Sequence, residues 1–183
     1  SIDALVSQTQ DLSNRFKTYV NRKPLPWYAE EKVKIGAFAT FLGIHFWSSI
    51  NDSGSWTALS VGDTCLFQIR DEKLHFSFPI LSTNEFGNSP NLISSNMDYN
   101  LQIWKNVKLY TSDWKVGDIF IFASDALACW FLARYELKEK PWNTLMNISR
   151  DITSNIYFAQ WVENVRNSSE LKNDDVTLVL LKV

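Results

Sequence analysis

The chain has few of the residues that build disulfide or zinc cross-links, with two cysteines and two histidines among 183 residues. Cys65 and Cys129 each lie within an apolar run, so both are predicted to be small core residues and not a disulfide pair. His45 and His75 lie far in sequence from both cysteines, whereas a zinc site needs closely spaced Cys and His ligands. The sequence therefore predicts neither a disulfide framework nor a zinc site.

The sequence also lacks a long apolar run and an excess of basic residues. No run approaches the roughly 18 apolar residues of a membrane-spanning helix, and the N-terminus has no basic-then-apolar secretory pattern. The formal net charge is -2 and the sequence pI is about 5.7, which provides no positive field for DNA or RNA. We therefore expect a cytoplasmic protein whose partner is neither nucleic acid nor a membrane.

The residues that are present are typical of one globular domain, since 45% are hydrophobic and 21% are charged. Near the N-terminus, Leu5, Leu12, Phe16 and Tyr19 recur at helical spacing, which predicts an amphipathic helix. Helices are predicted over 2–21, 27–39, 126–136 and 154–166. Strands are predicted over 40–48, 56–63, 64–70, 74–78, 104–110, 118–123 and 176–181.

These elements predict an α+β fold in which two packed antiparallel β-sheets are flanked by helices, an α-β-β-α sandwich formed by residues 1–183 as one domain. Segment 80–100 is rich in Ser and Asn, so it is predicted to be a surface loop or flap. In the last strand Val176, Leu178 and Leu180 face one side, and Val179 and Leu181 face the other. Apolar residues on both faces predict that this strand is internal to its sheet.

Aspartates recur where predicted strands end. The turn 61–64 contains Asp63, Asp125 follows a strand and opens a helix, and Asp174 and Asp175 precede the last strand. Carboxylates at the rim of a sheet can hold a hard divalent cation through oxygen. Each motif alone also fits an ordinary solvated turn or a helix N-cap, so it is their order along the chain that carries the signal.

That order resembles the metal-dependent serine/threonine protein phosphatases of the type 2C family. The resemblance runs from residue 36 to residue 183 and is closest to the bacterial branch, where the third motif is often Thr-Asp-Ala-Leu-Ala and here reads Ser-Asp-Ala-Leu-Ala over 124–128. The matching stretches are 36–40, 56–67, 78–79 with Phe86, 116–127 and 173–181.

The resemblance implies hydrolysis of phosphoserine and phosphothreonine in a phosphorylated protein substrate, by a water held between two Mn²⁺ or Mg²⁺ ions. Asp125 and Asp174 take the places of direct metal ligands. Asp63 matches an aspartate that helps to bind a third metal in some relatives and otherwise holds the turn. Three neighbouring residues are expected to hold these ligands in position without binding the metal themselves: Thr64, Ser124 and Asp175.

The sequence departs from the family at its N-terminal side. The family carries an Asp-Gly motif whose aspartate bridges both metals, and no Asp-Gly dipeptide occurs in this chain. Segment 3–20 resembles the helix that follows that motif, so the chain is expected to begin just after it and to be catalytically incomplete alone. Two interpretations remain: the C-terminal part of a catalytic phosphatase domain, or a non-catalytic phosphatase-like binding or regulatory module. The retained Asp125 and Asp174 favour the first.

Overall fold

The computed structural model describes residues 1–22, 24–48, 52–87, 89–149 and 154–183. The described helices are α1 (Ile2–Val20), α2 (Trp27–Ile35), α3 (Asp125–Glu136), α4 (Pro141–Ile148) and α5 (Ser154–Asn167). The described strands are β1 (Phe38–Ala39), β2 (Phe41–Ser48), β3 (Ser53–Val61), β4 (Cys65–Arg70), β5 (Lys73–Phe78), β6 (Ile93–Ser94), β7 (Lys108–Lys115), β8 (Ile119–Ala123) and β9 (Leu178–Lys182). None of the helices in this part of the chain is long and apolar enough to cross a membrane.

The strands form antiparallel sheets. One sheet has four strands in the order β5-β4-β8-β9, and a second has three strands in the order β2-β3-β7. A short ladder joins β1 to β6, with Phe38 opposite Ser94. Antiparallel sheets together with segregated helices make the fold α+β, as the sequence predicted.

The two larger sheets pack against each other through an aromatic core. Trp56 of β3 and Phe120 of β8 are both fully buried, and their rings meet edge to face with centroids 6.0 Å apart. The ring of Phe46 on β2 also packs edge to face on Phe120, with ring centroids 4.9 Å apart. Because alternate residues of a strand face opposite sides, Leu66 of β4 joins this core while Phe67 faces away from it.

The other face of the four-stranded sheet is covered by α3, α4 and α5. Phe67 stacks on Phe131 of α3 with ring centroids 4.0 Å apart, and Trp130 of α3 meets Trp161 of α5 at 4.9 Å. Each large aromatic side chain buries on the order of 150–250 Å², so these contacts supply much of the core. The middle of α3 is thereby fixed against the sheet and against α5.

The N-terminal helix follows its predicted period but buries less of its apolar face than expected. Leu5 is buried, whereas Leu12 and Tyr19 are exposed. Ser13, also buried, donates a hydrogen bond from Oγ to the carbonyl of Ser95, at 2.5 Å. Helix α1 therefore contacts segment 80–100 through its central turns.

Several predicted elements have different bounds in the structure, and one helix was not predicted. Helix α2 ends at Ile35 and not at residue 39, because Gly36 adopts φ 98° and its amide closes the last turn on Lys32. The strand predicted over 104–110 begins at Lys108, after a 3₁₀ turn at Ile103–Asn106. Helix α4 was not predicted, because it is a single short element opened by proline.

The last strand is not internal, which corrects the prediction. Strand β9 lies at the edge of the four-stranded sheet of the described residues, paired with β8 alone. Val179 is 52% exposed, and Leu181 is 39% exposed. The apolar residues on both faces of β9 were therefore a poor guide to its position, since one face packs on the helical side and the other remains partly open.

Candidate functional site

One end of the four-stranded sheet forms a straight row of residues. The register places Cys65, the first residue of β4, opposite Ala123, the last residue of β8. Ala123 in turn lies opposite Leu178, the first residue of β9. Neighbouring strands are about 4.8 Å apart, so the row is about 10 Å wide. The chain segments that leave this row on three adjacent strands must therefore lie close together.

The predicted aspartates lie in those segments. Asp63 precedes β4, Asp125 follows β8 at the start of α3, and Asp174 precedes β9. Asp63 and Asp125 are half-buried, whereas Asp174 is exposed. We call these three residues the acidic rim. The fold therefore places the three aspartates that the sequence assigned to metal binding next to the same end of one sheet.

The turn that carries Asp63 is fixed by close packing. Gly62 adopts φ 101°, and a Cβ atom there would lie 2.6 Å from the side chain of Thr40, so only glycine fits without strain. Thr40 Oγ1 and Thr64 Oγ1 form a hydrogen bond of 2.8 Å. The thiol of Cys65 donates to the carbonyl of Asp63 at 3.2 Å. Thr64 therefore supports this turn by tying it to the start of β2.

Ser124 ties the α3 start to the approach to β9. Its Oγ donates to the carbonyl of Asp175 at 3.1 Å and accepts from the amide of Thr177 at 3.0 Å. Its amide donates to the carbonyl of Thr177, also at 3.1 Å. Although Ser124 is the N-cap residue of α3, its side chain makes no cap hydrogen bond. The hydroxyl is used instead to hold two segments of the acidic rim in register.

The loop before β9 is held by backbone contacts and by two basic residues. The Asp174 Oδ1 atom accepts from the amide of Asp175 at 2.8 Å. The Arg166 guanidinium donates to the carbonyl of Asp174. The Lys172 Nζ atom lies 3.9 Å from Asp174 Oδ2. Asp175 thus contributes its carbonyl and amide to the loop, and Asp174 has a cation of the chain beside its carboxylate.

The charges of the rim act on one another. Burial raises the pKa of Asp63, and the negative charges of Asp125 and Asp174 raise it further. The carboxylate's hydrogen bond to its own amide and the positive charge of Lys172 lower it, but the net direction is upward. Burial is thus the main cause of the raised pKa of Asp63, and the neighbouring carboxylates of Asp125 and Asp174 add to it.

The donor chemistry of the rim fits a hard divalent cation, because all three side chains supply carboxylate oxygens. Among the described residues, however, no group of three or more His, Cys, Asp or Glu side chains is arranged so that it could hold a metal ion. The assignment of Asp63, Asp125 and Asp174 as metal ligands therefore stays a prediction. In the described part of the chain, too few such ligands lie together to coordinate a metal ion completely.

A second polar cluster, at the opposite end of β8, was not predicted from the sequence. Asp118 is buried and accepts from Arg70 Nη2 at 2.7 Å, from Gln68 Nε2 at 2.7 Å and from the amide of Lys115 at 3.0 Å. Gln68 is also fully buried and accepts from Trp56 Nε1 at 3.1 Å. The hydrogen bond from the amide of Lys115 ties Asp118 to the end of β7, across the turn between β7 and β8.

The signal that could have revealed this network is polarity inside otherwise apolar strands. Gln68 interrupts the apolar run of β4, and Arg70 ends it. Burial would raise the pKa of Asp118, but hydrogen bonds from Arg70, Lys115 and Gln68 outweigh burial and lower it. Asp118 is therefore a charged structural residue, distinct from the acidic rim.

A cleft of about 220 Å³ adjoins the acidic rim. It lies between Asp63 and segment 80–100, with Glu85, Lys108 and Ser60 among the residues that border it. Ser60 is 1% exposed, and its Oγ has no hydrogen-bond partner among the described residues. Lys108 Nζ donates to the carbonyl of Pro79 at 3.0 Å and has two further N–H donors. The cleft is thus polar and runs directly up to Asp63.

No protein-family model matches the sequence, and no curated protein sequence matches it. Among solved structures, the photosystem II phosphatase PBCP superposes with a TM-score of 0.51 and 15% identity, covering 80% of this chain and 65% of that chain. The phosphatase domain of the cell fate determinant SpoIIE from Bacillus subtilis superposes with a TM-score of 0.40 and 14% identity, covering 100% of this chain and 73% of that chain. A Mn-presoaked form of that domain superposes with a TM-score of 0.39 and 15% identity, again covering 100% of this chain and 73% of that chain.

The PBCP superposition establishes a likeness of fold, and the lower TM-scores of the SpoIIE domain add nothing to it. This chain spans 65% of the length of PBCP. The α+β fold of this chain is therefore similar to that of PBCP, a photosystem II phosphatase.

Proposed function

We propose that this chain is the C-terminal part of a protein-serine/threonine phosphatase domain that hydrolyses phosphoserine and phosphothreonine with the help of Mn²⁺ or Mg²⁺. The partner is a phosphorylated protein, and the location is the cytoplasm. The observation that carries the proposal is the convergence of Asp63, Asp125 and Asp174 at one end of β4, β8 and β9 in a phosphatase-like fold.

The residues of the rim have distinct roles in this proposal. Asp125 and Asp174 hold the metal through carboxylate oxygen, and Asp63 contributes a third carboxylate from the turn before β4. Ser124 and Thr64 keep the three segments in position through the hydrogen bonds described above. When bound, such ions lower the pKa of a coordinated water and neutralise phosphoryl oxygens. The protein's own part is to position charge and to present the cleft beside Asp63 to the substrate polypeptide.

A second candidate function is a non-catalytic phosphatase-like binding module. Two observations favour it. The described residues contain no complete group of metal ligands, and a lysine lies beside Asp174 where a metal ligand would need a free carboxylate. A module of this kind would recognise the phosphorylated protein without hydrolysing it.

The test is Mn²⁺-dependent hydrolysis of para-nitrophenyl phosphate and of a phosphoserine peptide by the natural polypeptide that carries these residues. Asp125→Asn and Asp174→Asn each remove a charge that opposes the cation while keeping the size of the side chain. We expect each to lower turnover and Mn²⁺ affinity by about tenfold or more. The matched control is Asp98→Asn, an exposed aspartate outside the rim, which should leave both unchanged.

Wild-type turnover in Asp125→Asn would remove that residue from the site. Saturable binding of the phosphopeptide without turnover, in the presence of Mn²⁺, would support the binding module instead. We expect the 183-residue chain by itself to turn over substrate poorly, since a two-metal mechanism needs a complete set of ligands.

A further inference from the structure

The cleft beside Asp63 is formed by both larger sheets. Ser60 of β3 and Lys108, the first residue of β7, lie opposite each other in the register, so their side chains leave the three-stranded sheet on the same face. Ser60 shares that face with Trp56 and Ala58, which belong to the core between the sheets. The cleft therefore continues the space between the two sheets outward to the turn that carries Asp63.

Two side chains of this cleft have hydrogen-bond donors that the described part of the chain does not use. Ser60 is 1% exposed, and its Oγ has no partner among the described residues. Buried hydroxyls are usually hydrogen-bonded, because a buried polar group without a partner has lost its water and gained nothing. Lys108 is exposed, and its ammonium group has two N–H donors besides the one that bonds the carbonyl of Pro79. One acceptor atom in the cleft would complete the hydrogen bonding of both residues.

Other residues of the cleft supply hydrogen-bond acceptors. Asp63 and Glu85 border it with carboxylates, and the carbonyl oxygen of Asn91 lies 3.0 Å from where a Cβ atom of Gly62 would stand. The two carboxylates outnumber the single positive charge of Lys108, so an anion would meet a net negative field. A neutral group with both a donor and an acceptor suits this cleft better, and the peptide group is such a group.

We propose that the cleft beside Asp63 binds the main chain of the substrate polypeptide, and that Lys108 and Ser60 donate hydrogen bonds to one of its carbonyl oxygens. This inference rests on the proposed function and adds the feature by which the site distinguishes a polypeptide from a small phosphoester. The volume of about 220 Å³ is below the roughly 300–1,000 Å³ of pockets for drug-sized ligands, so the cleft fits a short stretch of chain. Since every residue has the same main-chain carbonyl, recognition of this kind accepts many sequences.

The experiment measures binding of a fluorescent phosphoserine peptide, otherwise made of alanine, to the 183-residue chain by fluorescence anisotropy. EDTA is present, so neither metal binding nor hydrolysis contributes to the signal. A second peptide differs only in N-methyl groups on the amides next to the phosphoserine, which remove main-chain donors and crowd the carbonyl oxygens. We expect the N-methylated peptide to bind roughly three- to tenfold more weakly, the effect of about one lost hydrogen bond.

Substitutions in the cleft test the two donors. Lys108→Met should weaken binding of the unmethylated peptide roughly three- to tenfold, and Lys108→Arg, which keeps the charge and the donors, should restore most of it. Ser60→Ala should weaken binding without lowering the melting temperature, because Oγ has no partner to lose among the described residues. The matched control is Lys105→Met, which changes the net charge equally at an exposed position just before β7, outside the lining of the cleft. It should bind the peptide as the wild type does.

Equal affinity of the wild type for the two peptides, or absence of binding, would overturn the inference. Unchanged binding in Lys108→Met would also overturn it, as would an equal loss in Lys105→Met, which would assign the effect to net charge. A lower melting temperature in Ser60→Ala would show that Oγ has a partner in the free chain, and would overturn its assignment as a donor to the substrate. Weaker binding in Lys108→Met together with no Mn²⁺-dependent turnover by the natural polypeptide would support the inference while contradicting the proposed hydrolysis.

Discussion

At the scale of single residues, Asp118 is the buried charge of the part of the chain that the structure describes. Its carboxylate is buried and accepts from Arg70, Gln68 and the amide of Lys115, and the side chain of Arg70 is itself 13% exposed. Both the Asp118 carboxylate and the Arg70 guanidinium therefore have hydrogen-bond partners of opposite charge. Breaking such a buried pair by removing one partner is costly, because the remaining charge stays in a poorly solvated site.

We predict that Asp118→Asn lowers the free energy of unfolding by about 3–5 kcal/mol at pH 7. The control is Asp113→Asn, since Asp113 pairs with the same Arg70 at 2.8 Å but is 57% exposed, and its loss should cost about 1 kcal/mol or less. The folded state lowers the pKa of Asp118, so its stabilisation is present above the unfolded pKa and is lost as pH falls through the folded pKa. Urea unfolding at pH 7 and pH 3 would measure this, and similar losses in both variants at pH 7 would contradict it.

At the scale of elements, sequence periodicity predicted the helices and strands whose own apolar residues recur at regular spacing. Helix α1 and the β4–β5 hairpin appear where expected, and Asp71 and Glu72 adopt the positive φ angles of a tight hairpin turn. The β1–β6 ladder could not be predicted, because each strand has two residues and is defined only by a partner far along the chain. Edge or central position is likewise set by the partner, which is why β9 was assigned wrongly.

In the candidate site, too, features set by the local sequence could be predicted, and features set by a distant partner could not. The acidic rim could be predicted in outline, because Asp63, Asp125 and Asp174 are all next to strand ends and adjacent antiparallel strands alternate their ends at one rim. The contact of Lys172 with Asp174 could not be predicted, because a lysine in a polar loop is usually solvated. The Asp118 network was missed for a related reason, since its partners come from β4 and from the last residue of β7.

The side chain of Glu136 on α3 holds one part of segment 80–100 to the helical layer. Both the amide and Oγ1 of Thr83 donate to the Glu136 carboxylate, each at 2.8 Å. These hydrogen bonds lower the pKa of Glu136. The contact is therefore present above the unfolded pKa of Glu136 and is lost as pH falls through the folded pKa.

We predict that Glu136→Gln, which loses the charge but keeps one acceptor oxygen, increases amide hydrogen exchange in residues 81–87 severalfold at pH 7. Glu139→Gln is the matched control, since Glu139 lies nearby and pairs with Arg134 and not with segment 80–100. Wild-type exchange also should approach that of Glu136→Gln as the carboxylate is protonated. Unchanged exchange in Glu136→Gln would show that other contacts hold the segment.

At the scale of the whole molecule, the two polar centres lie at opposite ends of β8. Asp118 directly precedes the strand and Asp125 follows it after Ser124, so β8 separates a structural network from the candidate site. Five residues of strand span about 16 Å. The fully buried Phe120 and Ile121 lie between them, one in the core between the sheets and the other on the helical side.

We therefore predict that Asp118→Asn and Asp125→Asn act independently on stability in the absence of metal. The loss from Asp118→Asn should be as large in an Asp125→Asn background as in the wild type, within about 0.5 kcal/mol, because the sites share no partner and are well separated. Asp125→Asn alone should be neutral or slightly stabilising at pH 7, since it relieves the repulsion that raises the pKa of Asp63. The control cycle pairs Asp118→Asn with Arg70→Met, whose side chains touch, and should be strongly non-additive. A coupling of more than about 1 kcal/mol between Asp118 and Asp125 in urea unfolding would mean that β8 transmits the state of the network to the acidic rim.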